Sequence, residues 1–532
     1  MTTGNPESLH GHVGSGLGGF SRLLDADPNQ ASEEELRKLA SVGFMGDLPE
    51  PPGASPGTKP DDKPDAEENL YVPAGYTYLS QFVDHDLTFD MTSTLDITDS
   101  AILSNQRTPR FDLDNLYGAG PDAAPYMYQD GIKLVEHKYD LPRLAGRAVI
   151  GDPRNDENSI ICNLHLAFIH FHNAVVDKLL ASKPNLKGTR KLFDLARNEV
   201  RWTYQRVLVE DFLPRIINGN TLEAFEIRRD PNAMGLSRND SAYALFTPNQ
   251  RGAMPLEFSG AAYRFGHSMV RSGYRLNQTF KGPIFALPSD PNPELSLVGF
   301  QPLPKEHVIH DWSIFFPSPD GLSASKTPGK KDGENDMGSV NDDPTRLQFA
   351  YRIDTTFVNP LAFLPPSVAA SSEINLGARN LLRGRKFQLP SGQAIANALG
   401  NPILDSKYLV FRDKSAGKDN QTFTRISQNL AEKTPLWFYV LAEAQAPMVD
   451  WWLTLPLGEN CIAPTFSEDT LLLAANKTAT QLGETGGRVI LEVFNGLLDS
   501  DPTSYRNHSD AATWKPLIKS FHMWNIVRRN FK

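Results

Sequence analysis

The stretch from Tyr71 to Asp90, YVPAGYTYLSQFVDHDLTFD, places an amide, two carboxylates and a histidine close together as Gln81, Asp84, His85 and Asp86. At 100° per residue, a helix here carries Leu79, Phe82, Val83 and Leu87 on one apolar side. Gln81, Asp84 and His85, related by i, i+3 and i+4, fall together on the other. Asp86 is turned away from that trio and serves another place. One helix thus offers groups that orient and transfer protons to one cavity, and a hard oxygen ligand elsewhere. Taken alone, the segment also reads as a capped helix with a solvated polar face.

Three further stretches carry chemistry. In RTPRFDLDNLYG, the even spacing of Thr108, Asp112 and Asp114 puts their oxygens on one side of an extended chain. With the Arg110 carbonyl they form a set of hard donors of the kind Ca²⁺ takes, to which Asp86 can add a carboxylate. The same DLDN is also the pattern of an Asx turn. In GDPRNDENSIICNLHLAF, Arg154 and Glu157 stand three apart near a helix start marked by Pro153, as an i, i+3 ion pair or as functional groups. His165, His170 and His172 form no i, i+4 ligand pair and read as structural. In LEFSGAAYRFGHSM, the small residues Gly260, Ala261, Ala262 and Gly266 surround His267. They would let a flat ligand approach the backbone, although a buried histidine in a tight helix crossing shows the same pattern.

The elements that must position these residues are mostly helical. Ile160, Ile161, Leu164, Phe168, Phe171 and Val175 recur at helical spacing, and Lys191 to Ile217 continues as another long helix. Further helices lie in LWFYVLAEAQ, TLLLAANKTATQL and GGRVILEVFNGLL, and strand signals are few. Residues 1–70 read as a partly irregular arm wrapped on a main domain at 71–532, with one short helix in SEEELRKLASVGF capped by Ser32, with Glu35 at the reciprocal position. A long surface loop is expected near 316–345.

Composition sets bounds on partners. In 532 residues, 53 basic against 63 acidic side chains give a net charge of −10, which argues against a nucleic-acid partner. Two cysteines exclude a disulfide framework. No apolar run approaches the roughly 18 residues of a membrane span. The first residues lack the basic and apolar regions of a secretory signal, so a cytoplasmic location or export by a non-classical route is expected. Oligomeric state stays open.

Taken in order, QxxDHD at Gln81 to Asp86, TxRxDxD at Thr108 to Asp114, GDxRxxE at Gly151 to Glu157 and YRFGH at Tyr263 to His267 resemble the animal-type haem peroxidases of the peroxidase-cyclooxygenase superfamily. The likeness runs from about Tyr71 to about Asp501. It implies a mainly α fold, one large helical domain with haem between a distal and a proximal helix. By resemblance, His85, Gln81 and Arg154 are the distal catalytic groups and His267 the proximal iron ligand. Asp84 and Glu157 match carboxylates that form ester links to a haem b derivative, and Arg264 matches a propionate contact. Asp86, Thr108, the Arg110 carbonyl, Asp112 and Asp114 match a calcium site. Two departures stand out. Asn158 occupies the place of a methionine that bonds a haem vinyl in chlorinating members, so that link is expected to be absent. The asparagine that supports the proximal imidazole has no evident counterpart, because the region after Pro366 is shortened.

The implied activity is reduction of hydrogen peroxide with oxidation of halides, thiocyanate or small organic donors, and a place in the response to oxidative stress. His85, with an ordinary pKa near 6.5, suits a proton shuttle, and Arg154 suits stabilisation of a departing hydroxide. One alternative is a cyclooxygenase-like fatty-acid dioxygenase. That chemistry needs a radical tyrosine three residues before the proximal histidine, where this chain has Arg264 and places Tyr263 one residue earlier. Another is a non-catalytic calcium- and haem-binding module, which would not need Gln81, His85 and Arg154 together.

Overall fold

Apolar residues at helical spacing become long buried helices, and these fix the site. The computed structural model describes residues 19–25, 31–48, 66–89, 105, 107–229, 242–247, 252–318, 347–369, 373–417, 419–457 and 463–528. Most of the expected surface loop, from 319 on, lies outside the described residues. Among those described, helices dominate and strands form only two-stranded sheets. The fold is mainly α, as expected.

The helix Gly75–Leu87 runs through the centre of the molecule rather than along its surface, with Leu79, Phe82, Val83 and Leu87 fully buried. Phe82 stacks on Phe168 at 4.5 Å between centroids, which locks it to the core helix Ser159–Ser182. Gly75 is required at its start because a Cβ there would lie 2.6 Å from the Phe315 carbonyl oxygen. Immediately before it, the strand Glu68–Pro73 pairs antiparallel with Phe349–Tyr351. That strand crosses the expected boundary at residue 70.

The helix Ser159–Ser182 is the one among the described residues that is long and apolar enough to cross a membrane, despite its interrupting Asn and His residues. Of its most apolar window, 89% is buried inside the protein, so its hydropathy serves the core. It packs on Arg190–Val207. The expected continuation to Ile217 is broken by a π-helical turn at Leu208–Phe212 before Leu213–Ile216. Behind the second half of the site, Leu376–Lys386, Leu436–Ala444 and Glu484–Ser500 pack together. The TLLLAANKTATQL segment is two short helices, Glu468–Leu473 and Ala475–Thr478.

In the arm, the helix Glu33–Leu39 buries Leu36 and Leu39 against the body. Ser32 caps it by accepting from the Glu35 amide. Glu35 does not complete the reciprocal capping bond. Its carboxylate accepts instead from Ser427 and Asn429, at 2.5 and 2.9 Å, and so ties the arm to the body.

Three local expectations are corrected. Thr108 to Asp114 is not an extended chain but a tight turn, with the Arg110 amide donating to the Thr108 carbonyl and Leu113 at φ 64°. Arg154 and Glu157 do not begin the long helix. They lie on and just after a 3-10 turn, Pro153–Asp156, and the helix proper starts at Ser159, capped by Asn158. His267 does not sit on a regular α-helix: Leu256–Gly260 ends and a 3-10 turn, Ala262–His267, carries the YRFGH residues.

Candidate active site

The Gly75–Leu87 helix and the Ala262–His267 turn face a common cavity of about 390 Å³. Gln81, Asp84 and His85 line it from the helix, and Arg264, Gly266 and His267 from the turn. Arg154 and Glu157 complete the wall, so all seven of the residues expected at the haem, together with Gly266, share one space. Gly266 keeps the approach open, since its backbone carries no side chain toward Ser80.

His85 is buried, which draws its pKa down to about 4, with the Arg154 charge adding to the effect. It is therefore a neutral base at ordinary pH. Its Nδ1 lies 2.7 Å from Asn155 Oδ1. Arg154 is fixed beside it: Nε bonds Asp152 Oδ1 at 3.1 Å, one terminal nitrogen bonds Asp152 Oδ2 at 2.8 Å, and the same nitrogen reaches the carbonyls of His85 and Thr88. Phe89 lies under the guanidinium at 4.8 Å. Asp152 is fully buried, yet Arg154 overcomes the burial penalty and holds its carboxylate well below the usual range. The Gln81 amide donates to Glu157 Oε1 at 3.2 Å and accepts from Asn158 at 3.4 Å.

The two cavity carboxylates differ. Burial pushes Glu157 up to about 7. Burial also pushes Asp84 up, but Arg264, His85 and Arg154 more than offset it, and its pKa is lowered. Asp84 Oδ2 accepts from Arg264 at 2.9 Å. The guanidinium expected to meet a propionate is thus held by a carboxylate expected to meet the same haem.

His267 is drawn down to about 3, first by burial and then by Arg264. The Asn380 amide nitrogen stands 2.7 Å from its Nδ1, while Asn380 Oδ1 is buried without a partner. This is the support that sequence reasoning did not find. Its signal was a polar residue at a buried position of the Leu376–Lys386 helix, within GARNLLRGR. Asp152 and Asn155 were also missed, because the segment reads as a helix start and not as a turn that folds back on Gly75–Leu87.

Asp86 points away from the cavity, as the helical spacing requires. It is fully buried with neither carboxylate oxygen in a formed hydrogen bond, although the Leu113 backbone and the Tyr204 hydroxyl approach it. Burial and then Asp114 push its pKa well up. Asp112 is raised by burial and by Asp114 and Asp86, and its Oδ1 is also unpartnered. Thr108 Oγ1 lies 2.7 Å from Asp112 and 3.2 Å from Asp114. Among the described residues no three acidic, His or Cys side chains form a ready-made metal cluster. The crowded carboxylates and orphaned oxygens nevertheless fit a cation that would draw them together. His165, His170 and His172 lie outside the cavity wall, and each ring bonds a core or backbone group, including Asn155, the His137 carbonyl and the Ile132 carbonyl.

The architecture has solved counterparts. The fold is similar to peroxidase A from Dictyostelium discoideum, with a TM-score of 0.57 at 13% identity over 97% of this chain and 94% of that one. It is also similar to a fatty acid alpha-dioxygenase variant from Oryza sativa with palmitic acid, with a TM-score of 0.53 at 15% identity over 95% of this chain and 80% of that one. These likenesses show the fold alone, a mainly helical one shared with a peroxidase and a fatty acid alpha-dioxygenase. Sequence narrows it. Residues 130–300 match the family model described as animal haem peroxidase, a span that contains both the Gly151–Glu157 and the Tyr263–His267 motifs. The match covers 171 of the 532 residues, and over that span the chain is similar to the animal haem peroxidases.

Among curated relatives, it is 21% identical to dual oxidase of Drosophila melanogaster over 71% of this chain. It is 31% identical to chorion peroxidase of the same organism over 24% of this chain, and 26% identical to heme peroxidase 2 of Caenorhabditis elegans over 23%. The matches span 20%, 15% and 16% of the lengths of those relatives.

Proposed function

We propose that the chain is a haem peroxidase that reduces hydrogen peroxide and oxidises small anionic or organic donors, with halides and thiocyanate as candidates. The observation that carries this is one cavity lined by two neutral histidines, with Arg154 beside His85 and an asparagine amide behind His267. A haem fits these residues: His267 Nε2 would take the iron, and Arg264, freed from Asp84, a propionate. For Nε2 to be a bare ligand, Nδ1 must carry the hydrogen and needs an acceptor. A half-turn of the Asn380 amide brings its unpartnered Oδ1 to that position.

When bound, haem supplies an iron that holds peroxide and takes up its oxidising equivalents. The protein residues manage protons and charge. His85, neutral and with Nδ1 already occupied by Asn155, takes the proton of the inner peroxide oxygen and returns it to the outer one. Arg154, held rigid by Asp152, stabilises the negative charge that develops on the departing oxygen. Gln81, tied to Glu157 and Asn158, orients the bound molecule. Asp84 and Glu157 reach the cavity on different segments, as two ester links to a haem would require. With Asn158 in place of a sulfur, no third link forms, which favours bromide or thiocyanate over chloride.

Asp86, Thr108, the Arg110 carbonyl, Asp112 and Asp114 would hold Ca²⁺. A fatty-acid dioxygenase is the second reading, favoured by Tyr263, which lines the cavity with its hydroxyl buried near Ser80. Arg264 in the place of the radical tyrosine, engaged with Asp84, weighs against it. The decisive experiment mixes haem-loaded protein with peroxide alone, then with bromide, thiocyanate, an aromatic donor and a fatty acid in turn. His85→Ala should slow the first spectral change by about 10²- to 10⁴-fold. A wild-type rate in that variant, or oxygen uptake with the fatty acid only, would overturn the peroxidase reading.

A further inference from the structure

Asn155 meets His85 from outside the cavity. It is fully buried and takes no part in the cavity wall. Its Oδ1 lies 2.7 Å from His85 Nδ1, and its Nδ2 lies 2.9 Å from Nδ1 of His165, itself fully buried. An amide oxygen accepts only and an amide NH₂ donates only. With the Asn155 amide set as it stands, oxygen toward His85 and NH₂ toward His165, the protons along the chain follow. His85 Nδ1 carries hydrogen and donates to Asn155, which leaves its Nε2 with a free lone pair. His165 Nδ1 is the acceptor for the Asn155 NH₂. One amide thus pins two neutral rings in opposite tautomers.

The arrangement is held from both sides. The Asn155 amide nitrogen of the backbone donates to the Asp152 carbonyl at 3.1 Å, on the same turn that carries Arg154. His165 sits two turns into the Ser159–Ser182 helix, in the core beside Phe82 at 6.0 Å between ring centroids. The chain ends at His165 Nε2, which is buried without a partner. Apolar residues of similar volume in place of both Asn155 and His165 would remove the unpartnered Nε2 from the core without leaving an amide unpaired between them. Retaining the polar pair makes sense if it performs a task that packing cannot.

We propose that Asn155, anchored by His165, is a positioning residue that keeps His85 in the Nδ1–H tautomer with Nε2 available as the base. The proposal rests on the peroxidase reading. Without the acceptor, the His85 ring is free to turn about its Cβ–Cγ bond, and the tautomer with hydrogen on Nε2 blocks proton uptake. An aspartate at 155 preserves the acceptor, and His165 can then switch tautomer and donate to it, so Asn155→Asp should rescue what Asn155→Leu loses.

The test is the association rate of cyanide with haem-loaded protein, followed optically, since hydrogen cyanide must hand its proton to a nearby base as it binds and no turnover is involved. Asn155→Leu should associate about tenfold or more slowly, and Asn155→Asp within about threefold of wild type. His165→Phe, which leaves the acceptor but frees the amide, should be slowed by at least about threefold. Melting temperatures are measured alongside. A purely structural role lowers the melting temperature of Asn155→Leu and leaves its cyanide rate unchanged, which overturns the proposal. So does an Asn155→Asp variant as slow as the leucine variant. Should Asn155→Leu not fold, a wild-type rate in His165→Phe overturns it equally. Wild-type protein that binds no haem overturns both this proposal and the peroxidase reading. Protein that binds haem and reacts with peroxide, with an unaffected leucine variant, overturns this proposal alone.

Discussion

Asp84 and Glu157 show how environment separates two residues of the same chemistry. Asp84 is paired with Arg264 and stays ionised well below neutrality, whereas Glu157 is buried against the uncharged Gln81 amide and titrates at about 7. If both become ester-linked under peroxide, each must act as a carboxylate. The ionised fraction of Glu157 rises with pH through about 7, while Asp84 is ionised throughout that range. Attachment at Glu157 should therefore increase between pH 6 and 8, and attachment at Asp84 should hardly change. Mass spectrometry of denatured protein after a few equivalents of peroxide, at a series of pH values, reads the two links separately. Haem that is freely extracted at every pH, or an Asp84→Val, Glu157→Gln double variant that still holds it covalently, sinks the assignment.

At the scale of elements, the Thr108–Asp114 turn, the Gly151–Glu157 turn and the Gly75–Leu87 helix act as one unit. Asp86 and His85 are adjacent on the helix, so whatever neutralises the Asp86, Asp112 and Asp114 carboxylates also sets the position of His85. Arg107 ties the two turns together, donating to Asp152 at 2.7 Å and to the Gly151 carbonyl at 3.0 Å. Leu113 is held at a positive φ of 64°, a conformation that costs a non-glycine residue on the order of 1 kcal/mol or more. Calcium would offset that cost through the carboxylates on either side. Chelation is expected to lower the melting temperature and to disturb the haem spectrum together. Active protein shown by metal analysis to hold no calcium would refute the calcium assignment.

Gly151 is where the two turns touch. A Cβ there would lie 2.5 Å from the Asn115 carbonyl oxygen and 2.8 Å from that of Asp114. Gly151→Ala should cost about 1–3 kcal/mol and slow the peroxide reaction, because the displaced turn carries Arg154 and Asn155. An alanine variant with unchanged denaturant midpoint and unchanged rate would show that the turns move independently.

Across the whole molecule, the N-terminal arm and the body are joined by a buried ion cluster as well as by packing. Glu67 accepts from Arg412 at 3.1 and 2.6 Å and from Lys414 at 3.3 Å, while Lys414 also bonds Asp47 at 2.9 Å. Burial raises the Glu67 pKa, but Arg412, Lys414 and Arg352 together outweigh it and hold the carboxylate well below its ordinary value. A depressed acid stabilises the fold above its unfolded pKa, and that contribution is lost as pH falls toward the folded value. Acid should therefore destabilise the protein progressively from about pH 4.5 downward. Glu67→Gln removes the anion that Arg412 and Lys414 share, leaving them Asp354 at 3.6 Å and Asp47 at 2.9 Å, and should cost up to about 3 kcal/mol near neutrality while flattening the acid limb. Thermal unfolding of both proteins between pH 3 and 7 checks the prediction, and parallel curves would contradict it.

The sequence by itself determined which residues share a face. Helical spacing alone put Gln81, Asp84 and His85 toward one space and Asp86 toward another, because the angle between successive side chains on a helix is fixed by backbone geometry. Ser32 as a cap and the apolar stripe of Ser159–Ser182 were legible for the same local reason. What only the tertiary structure decided was which distant groups meet. Asn380 reaches His267 across 113 residues, and Asn155 meets both His85 and His165 through a turn that sequence could not distinguish from a helix start. The tight Thr108–Asp114 turn and the 3-10 geometry at His267 were likewise hidden, since both are imposed by packing against other segments. Even spacing in one stretch of chain cannot show that it folds into a turn beside Asp86, a carboxylate from another segment.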